Sequence, residues 1–366
     1  MNGRLAIIGA STGQLPLCLK AREMGLETYC FAWPGGAVCK NYVDHFIPVS
    51  IMEMDEIVAY CKSAGIDGVV SNASETTALV SSYVADRLGK TGTPYETFRK
   101  IQDKSYVRAM TNCLPGLSTV EFKIGCLNEI ANALERPYVL KPVKGASKKG
   151  VNFINDEVDL AEIPEDLHDS LFMAEAYISG KEYSVECLSY HGHHRVIQIT
   201  EKISSGPPHF VELEHHQPAD LPQRIVANIG CAAADILNSI GYSDGASHIE
   251  IKIDDRGSIY LVEVNPRGGG DMISNQLIGL STDYDFLGQL ISVSLGKYTD
   301  IQPHNTACAG IYFLTASTSR LLPYFEKPAE GWMVERQRTS MELTESKSNY
   351  DHDGYIIYKS DKKIIL

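Results

Sequence analysis

Residues 247–265 read SHIEIKIDDRGSIYLVEVN, two runs of alternating apolar and polar side chains on either side of Asp254-Asp255-Arg256-Gly257. Alternation with a period of two is the pattern of a half-buried strand. A short turn of Asp and Gly between two such runs predicts an antiparallel hairpin. His248, Glu250 and Lys252 then share one face of the first strand, and Leu261, Glu263 and Asn265 share one face of the second. In an antiparallel pair Glu250 and Glu263 become near neighbours across the ladder. Two bare carboxylates side by side repel and drive one toward its protonated form. A divalent cation removes that conflict, because Mg²⁺ accepts one or two protein carboxylates and completes its shell with phosphate oxygens and water. Glu250, Glu263 and the amide oxygen of Asn265 suit that role. The chain continues as Pro266-Arg267-Gly268-Gly269-Gly270-Asp271. Arg267 can hold a carboxylate or phosphoryl oxygen through paired hydrogen bonds. The glycines after it are expected to bring backbone amides to the same anion and make room for a substrate.

A second hairpin is expected over residues 136–154, RPYVLKPVKGASKKGVNFI. PYVLKP and VNFI are its strands. Lys141 lies inside an apolar strand, which is uncommon unless its ammonium has a partner. The connecting loop, with Lys144, Gly145, Ser147, Lys148, Lys149 and Gly150, is small, flexible and basic, and suits a polyphosphate. An ordinary solvated hairpin is the plainer alternative. Further on, FMAEAYI and EYSVECLSY read as strands flanking a Gly-Lys turn, with Glu175 and Glu182 read either as solvated strand-end charges or as groups that could bond an exocyclic amine and a ribose. YHGHHRV at 190–196 reads as a surface hairpin turn rather than a metal site. HFVELEHHQPADL reads equally as a surface loop or as a segment whose Glu212 and His215 contact a substrate.

The first hundred residues alternate strands (RLAIIGA, LETYCFAW, IDGVVSN) with helices (Gln14 to Gly25, MDEIVAYCKSAG), which predicts a doubly wound parallel sheet. Gly9-Ala-Ser-Thr-Gly13 lacks the second glycine of a dinucleotide fingerprint and is followed by no Walker lysine, so it reads as a tight strand–helix turn. The net charge of −13 argues against nucleic acid and anionic membranes as partners. Nine scattered cysteines without a Cys-x-x-Cys pair suggest reduced thiols in the cytoplasm. The apolar run near the start is too short for a signal peptide or a membrane span. After residue 307 the chain reads as short strands separated by turns.

The ordered set Asp103-Lys104, VLKP, GASKKG, EAYISGKEYSVE, HIEIKI and LVEVNPRGGG resembles the ATP-grasp superfamily, and within it the carboxylate–amine ligases that include L-amino acid ligases and relatives of the carbamoyl-phosphate synthase large subunit. The resemblance covers about residues 104–300. It implies an α/β (α+β) fold: an N-terminal parallel-sheet domain (1–100), a two-lobed core with a glycine-rich lid on its small lobe (101–178) and a large lobe (179–300), then a small β-rich C-terminal element (301–366). It implies that Lys104 and Lys141 contact ATP phosphates, and that Gly145, Ser147 and Gly150 belong to the lid. Glu175, Ala176 and Ile178 would meet adenine, and Glu182 the ribose. Glu250, Glu263 and Asn265 would bind one or two Mg²⁺ ions, with Mn²⁺ an acceptable substitute. Lys141 and Arg267 would be catalytic. Glu212, His215, Arg267, Gly268 and Gly269 would contact the acid or amine. Lys148 and Lys149 stand where the family more often has serines, and Glu214 where the ligase pattern Phe-Val-Glu-x-Gly-His has glycine. The implied activity is amide or peptide bond formation through an acyl phosphate, with small-molecule substrates, a cytoplasmic setting and a fold that allows a homodimer. A biotin-carboxylase-like activation of bicarbonate and a nucleotide-binding module without catalysis are the competing readings.

Overall fold

A computed structural model describes residues 3–72, 74–145 and 150–366. The apolar runs of the first seventy residues form β1 (Arg4–Ile8), β2 (Glu27–Phe31), β3 (His45–Ile47) and β4 (Gly68–Val70). They pair in parallel in the order β3-β2-β1-β4. Leu5 to Ile8 are fully buried, as a central parallel strand requires. The helix Met54–Ala64 ends where Gly65 turns left-handed at φ 63° and its N–H reaches back to the Cys61 carbonyl. The helix Glu75–Leu88 starts on Ser74, whose side chain accepts from the Thr77 N–H.

β5 (Phe122–Cys126), β6 (Tyr138–Pro142), β7 (Asn152–Ile154) and β8 (Leu171–Ala176) form an antiparallel sheet in the order β5-β8-β6-β7. The third sheet contains β9 (Lys181–Tyr190), β10 (His193–Ser204), β11 (Glu212–Gln217), β12 (Gly245–Ile253), β13 (Ile259–Asn265), β14 (Cys308–Leu314), β15 (Met333–Arg338) and β16 (Gly354–Ser360). Its order is β13-β12-β9-β10-β11-β14-β16-β15. Strands β12 and β13 pair as the sequence pattern requires, with Glu250 opposite Glu263 and His248 opposite Asn265.

Three features differ from the sequence reading. FMAEAYI and EYSVECLSY flank a turn but do not pair with each other. β8 belongs to the four-stranded sheet and β9 lies inside the eight-stranded one, so the intervening turn is the crossing between two lobes. Gly180, at φ 154°, permits that crossing, because a Cβ there would lie 2.5 Å from the Ile253 carbonyl oxygen. HFVELEHHQPADL is no surface loop. Its central residues become β11, flanked by β10 and β14, with Glu212, His215, His216 and Gln217 buried. The C-terminal strands, expected as a small β-rich element, extend the large sheet through the β11–β14 pairing, because β11 offers an open ladder edge that β14 satisfies. The histidine-rich turn at 190–193 is the expected hairpin, with His191 and Gly192 at positive φ.

The parallel sheet and the large sheet share one core. Leu5, Ile7 and Leu17 pack with Leu290 and Ile291 of the helix Phe286–Ser294, and these with Leu188 of β9 and Ala246 of β12. Gly68 lets that helix approach, since a Cβ there would lie 2.7 Å from the Ser294 carbonyl oxygen. Among the described residues no helix is long and apolar enough to cross a membrane. Ile291 is fully buried in the shared core. Ile291→Ala should lower unfolding free energy by about 2–5 kcal/mol. Urea denaturation measures this, and a loss below about 1 kcal/mol would show that the two sheets do not depend on this core.

Candidate active site

The two antiparallel sheets enclose a cleft of about 120 Å³. Its walls bring together Lys104, Lys141, Gly145, Glu175, Ala176, Ile178, Glu182, Glu250 and Glu263. These are most of the residues expected to meet nucleotide and metal, drawn from six separate stretches of chain. Val139, Val151, Tyr177, Phe210 and Val262 supply apolar surface. Gly150, Asn265, Arg267, Gly268, Gly269, Glu212 and His215 lie outside this wall, and Ser147, with Lys148 and Lys149, falls outside the described residues.

Strand pairing and ion pairing fix the charged side chains together. Lys141 projects from β6 into an apolar setting and ion-pairs with Glu175 of β8, which also accepts from Nε of Arg108. The Arg108 Nη2 donates to the Leu261 carbonyl at 2.8 Å, tying the small lobe to β13. Burial works to raise the Glu175 carboxyl, but the Lys141 ammonium and Arg108 guanidinium outweigh it and hold it below the usual range. The Glu175 carboxylate therefore orients Lys141 rather than waiting for an adenine amine. The Ala176 N–H is likewise committed to the Glu121 carbonyl at 2.9 Å. The Ile178 carbonyl accepts from Lys252 Nζ at 3.2 Å. That ammonium also stands 4.8 Å from the centre of the Tyr177 ring.

Lys104 Nζ lies 2.9 Å from Glu263 Oε1. Across the ladder, Lys202 Nζ lies 3.0 Å from Glu250, 3.0 Å from Glu212 and 3.4 Å from Glu182. Burial alone would lower the Lys202 pKa, yet the three carboxylates raise it well above its ordinary value. Lys202 is the link between the cleft and β11, where Glu212 begins. Beneath Glu250, His248 Nε2 approaches Oε1 at 3.1 Å while Nδ1 meets Glu186 at 2.6 Å. Burial opposes the charge on His248, but Glu186 and Glu250 raise its pKa to about 9.

Glu250 and Glu263 offer hard oxygen donors opposite each other, the chemistry Mg²⁺ selects. Among the described residues no group of three or more His, Cys, Asp or Glu side chains is arranged to enclose a metal. The donor set therefore fits an ion whose remaining ligands come from phosphate and water. Asn265 ends β13 in a buried position opposite His248.

The glycine turn differs from expectation. A Cβ on Gly268 would lie 2.2 Å from Asn72 Oδ1, and one on Gly269 would lie 2.8 Å from Glu186 Oε2. The Gly269 N–H already donates to Glu186 at 3.1 Å. Two of the three glycines thus make room for protein groups, while Gly270 has open space. Arg267 lines a neighbouring cavity shared with Val69, Val70 and Ser71 at the end of β4, and its Nη1 donates to the Gly268 carbonyl at 2.9 Å.

Residues 134–276 match the ATP-grasp domain family. The chain carries an ATP-grasp domain. A D-alanine–D-alanine ligase from Acidiphilium cryptum is 30% identical over 167 residues, 42% of this chain and 53% of that protein. An alanine–anticapsin ligase from Bacillus subtilis is 25% identical over 252 residues, 61% of this chain and 53% of that protein. The chain spans about half the length of the curated relatives it matches. The fold of an L-amino acid ligase from Bacillus licheniformis superposes with a TM-score of 0.79 at 22% identity, covering 99% of this chain and 93% of that one. The ATP-grasp fold therefore extends over the parallel sheet and both antiparallel sheets.

Arg108, Lys202 and Glu186 escaped the sequence reading, and Lys252 was placed on the face of Glu250 without a role. Lys202 had the signal that singled out Lys141, a lysine inside an apolar strand, in ITEKI. Arg108 had none, because its partner Glu175 is distant in sequence. Glu175→Gln should leave two buried cations in the ATP-grasp cleft without their counter-charge and cost about 3–5 kcal/mol at neutral pH. A carboxylate with a lowered folded pKa stabilises above its unfolded pKa and loses that contribution as pH falls through the lowered value. The gap between wild type and variant should narrow as pH drops below the carboxylate range. Denaturant unfolding across pH checks this, and a pH-independent gap would reject the ionised triad.

Proposed function

We propose that this chain is an ATP-dependent carboxylate–amine ligase that joins an amino acid or another small carboxylic acid to an amine, releasing ADP and phosphate. One observation carries the reading. The cleft sets Lys104 and Lys141 beside the facing carboxylates Glu250 and Glu263, and the same β13 strand runs on to Arg267. The cleft lining holds Lys104, Arg108, Lys141 and Lys252 against Glu175, Glu182, Glu250 and Glu263, so its charge is balanced before a ligand enters. A polyanionic triphosphate then calls for an added cation, and the two facing carboxylates are where that cation would sit.

A carboxylate resists nucleophiles because it is negatively charged. Phosphorylation by ATP converts it to an acyl phosphate with a good leaving group, and an amine displaces phosphate. Phosphoryl transfer is served by positioning and charge neutralisation. Lys104 and Lys141 are assigned to the phosphates and Glu182 to the ribose, with the apolar walls around Tyr177 and Ile178 taking the base. Bound Mg²⁺, held by Glu250, Glu263 and Asn265, would neutralise phosphate charge. Arg267 is assigned to the acyl phosphate and to the oxyanion formed on amine attack. Glu212 and His215 are assigned to the substrate, next to the cleft across Lys202. The names of the relatives, which join D-alanine to D-alanine or alanine to anticapsin, favour amino acids as substrates. Nine free cysteines suit a reducing, cytoplasmic setting.

The test is a phosphate-release screen of amino acids, singly and in pairs, with the product mass measured. Release is expected only with ATP, Mg²⁺ and both substrates, giving a product lighter than their sum by one water. Arg267→Ala should still bind nucleotide and lose roughly 10²–10³-fold in kcat. Glu263→Ala should abolish Mg²⁺-dependent release with the fold intact. Turnover at the parent rate in either variant rejects the corresponding role, and bicarbonate-dependent ADP release without an amine rejects the ligase reading.

A further inference from the structure

β14 pairs with β11 from Gln217 as far as Glu214. Beyond that point two side chains from the C-terminal segment meet the backbone of Glu212. Asn349 Oδ1 accepts from the Glu212 N–H at 2.9 Å, and His352 Nε2 lies 2.8 Å from the Glu212 carbonyl. His352 stacks on Phe313 of β14, with ring centres 4.2 Å apart, and burial keeps its pKa below the usual imidazole range. Asn349 reaches further, donating from Nδ2 to Asp271 Oδ2 at 3.4 Å.

Asp271 follows the glycine turn, four residues after Arg267. It is part-buried and left-handed at φ 49°, as is Met272 at φ 65°. Burial opposes its ionisation, but the facing His215 and the Lys202 ammonium outweigh it and lower its pKa. Among the described residues no lysine or arginine ion-pairs with it. His215 faces it, with Nε2 3.7 Å from Oδ2. That imidazole is fully buried, and neither ring nitrogen has a hydrogen bond among the described residues. A buried polar group without a partner is costly, and such groups mark places where a ligand supplies the missing bond.

We infer that Asp271, with His215 beside it, receives a cationic group carried by the acid substrate, and that Asn349 and His352 are positioning residues that hold Asp271 and Glu212 toward it. The inference rests on the ligase reading, which puts the substrate carboxylate at Arg267. Four residues of chain span at most about 14 Å, which bounds how far the two groups can be apart. The cation is either the α-ammonium group of an amino acid or a basic side chain.

Calorimetric titration of the Mg-ADP-loaded protein separates these sources. The probes are the common L-amino acids, each beside its des-amino acid; for arginine this is 5-guanidinovalerate. Binding of neutral amino acids that is at least tenfold tighter than their des-amino forms assigns the α-ammonium. Equal binding of arginine and 5-guanidinovalerate, with alanine silent, assigns the side chain. Asp271→Asn keeps a residue that tolerates positive φ, and should weaken the cationic ligand at least tenfold with ADP affinity within twofold. Asn349→Ala should reduce the ratio between cationic and des-amino ligands at least threefold, which a purely structural role would not do. The inference falls if no amino acid binds, if neutral des-amino acids bind as well as their parents with no preference for basic side chains, or if neither variant changes the ratio. Cation-selective binding without ADP release in the presence of any amine would retain this subsite and reject the ligase reading instead.

Discussion

Lys202 sits almost out of water with Glu182, Glu212 and Glu250 around its ammonium. Each carboxylate comes from a different strand, and the four strands β9, β10, β11 and β12 are consecutive in one sheet, with β12 outside β9. Any one of those acids moved to a dry interior alone would be strongly disfavoured. Together with a shared cation they are tolerated, and the sheet register holds them within reach of it. Glu250 is thereby held opposite Glu263, and Glu212 is held at the start of β11. The cleft residues Glu182 and Glu250 are coupled to Glu212 of β11 through one nitrogen atom.

The small lobe repeats the device. Glu175 takes Lys141 on one oxygen and Arg108 on the other, and Arg108 bonds to the backbone of β13. This places the ammonium of Lys141 by charge and by packing. The proposed phosphoryl transfer would draw on such a donor, because electrostatic preorganisation depends on groups held in place before the reaction. The glycine turn after Asn265 is held the same way, with Glu186 gripping the Gly269 N–H and His248 gripping Glu186.

Much of this was legible in the sequence. The facing pair Glu250 and Glu263 follows from two alternating runs and a short turn, because a period of two fixes which side chains share a face. The parallel sheet follows from apolar runs separated by helical spacing. Lys141 declared itself by its apolar neighbours. The parts that were not legible depend on partners far apart in the chain. Nothing near Glu175 in sequence indicates that its carboxylate meets Arg108, and nothing near Gly268 indicates that Asn72 fills the space beside it. The C-terminal strands were legible as strands, but their place in the large sheet was not, for a related reason. A strand's own pattern states that it needs a neighbour, but not which open edge it will find.

By itself the sequence determined the local conformations and the chemical types available: oxygen donors in alternation, cations in apolar strands, and a glycine turn behind an arginine. Tertiary structure alone decided the pairings. It put β8 and β9 in different sheets, turned HFVELEHHQPADL from a loop into a buried strand, and brought Asn349 and His352 from the far end of the chain to Glu212. The physical reason is that propensity and periodicity act over a few residues, whereas the free energy of a buried charge depends on whatever the fold places within a few ångströms of it.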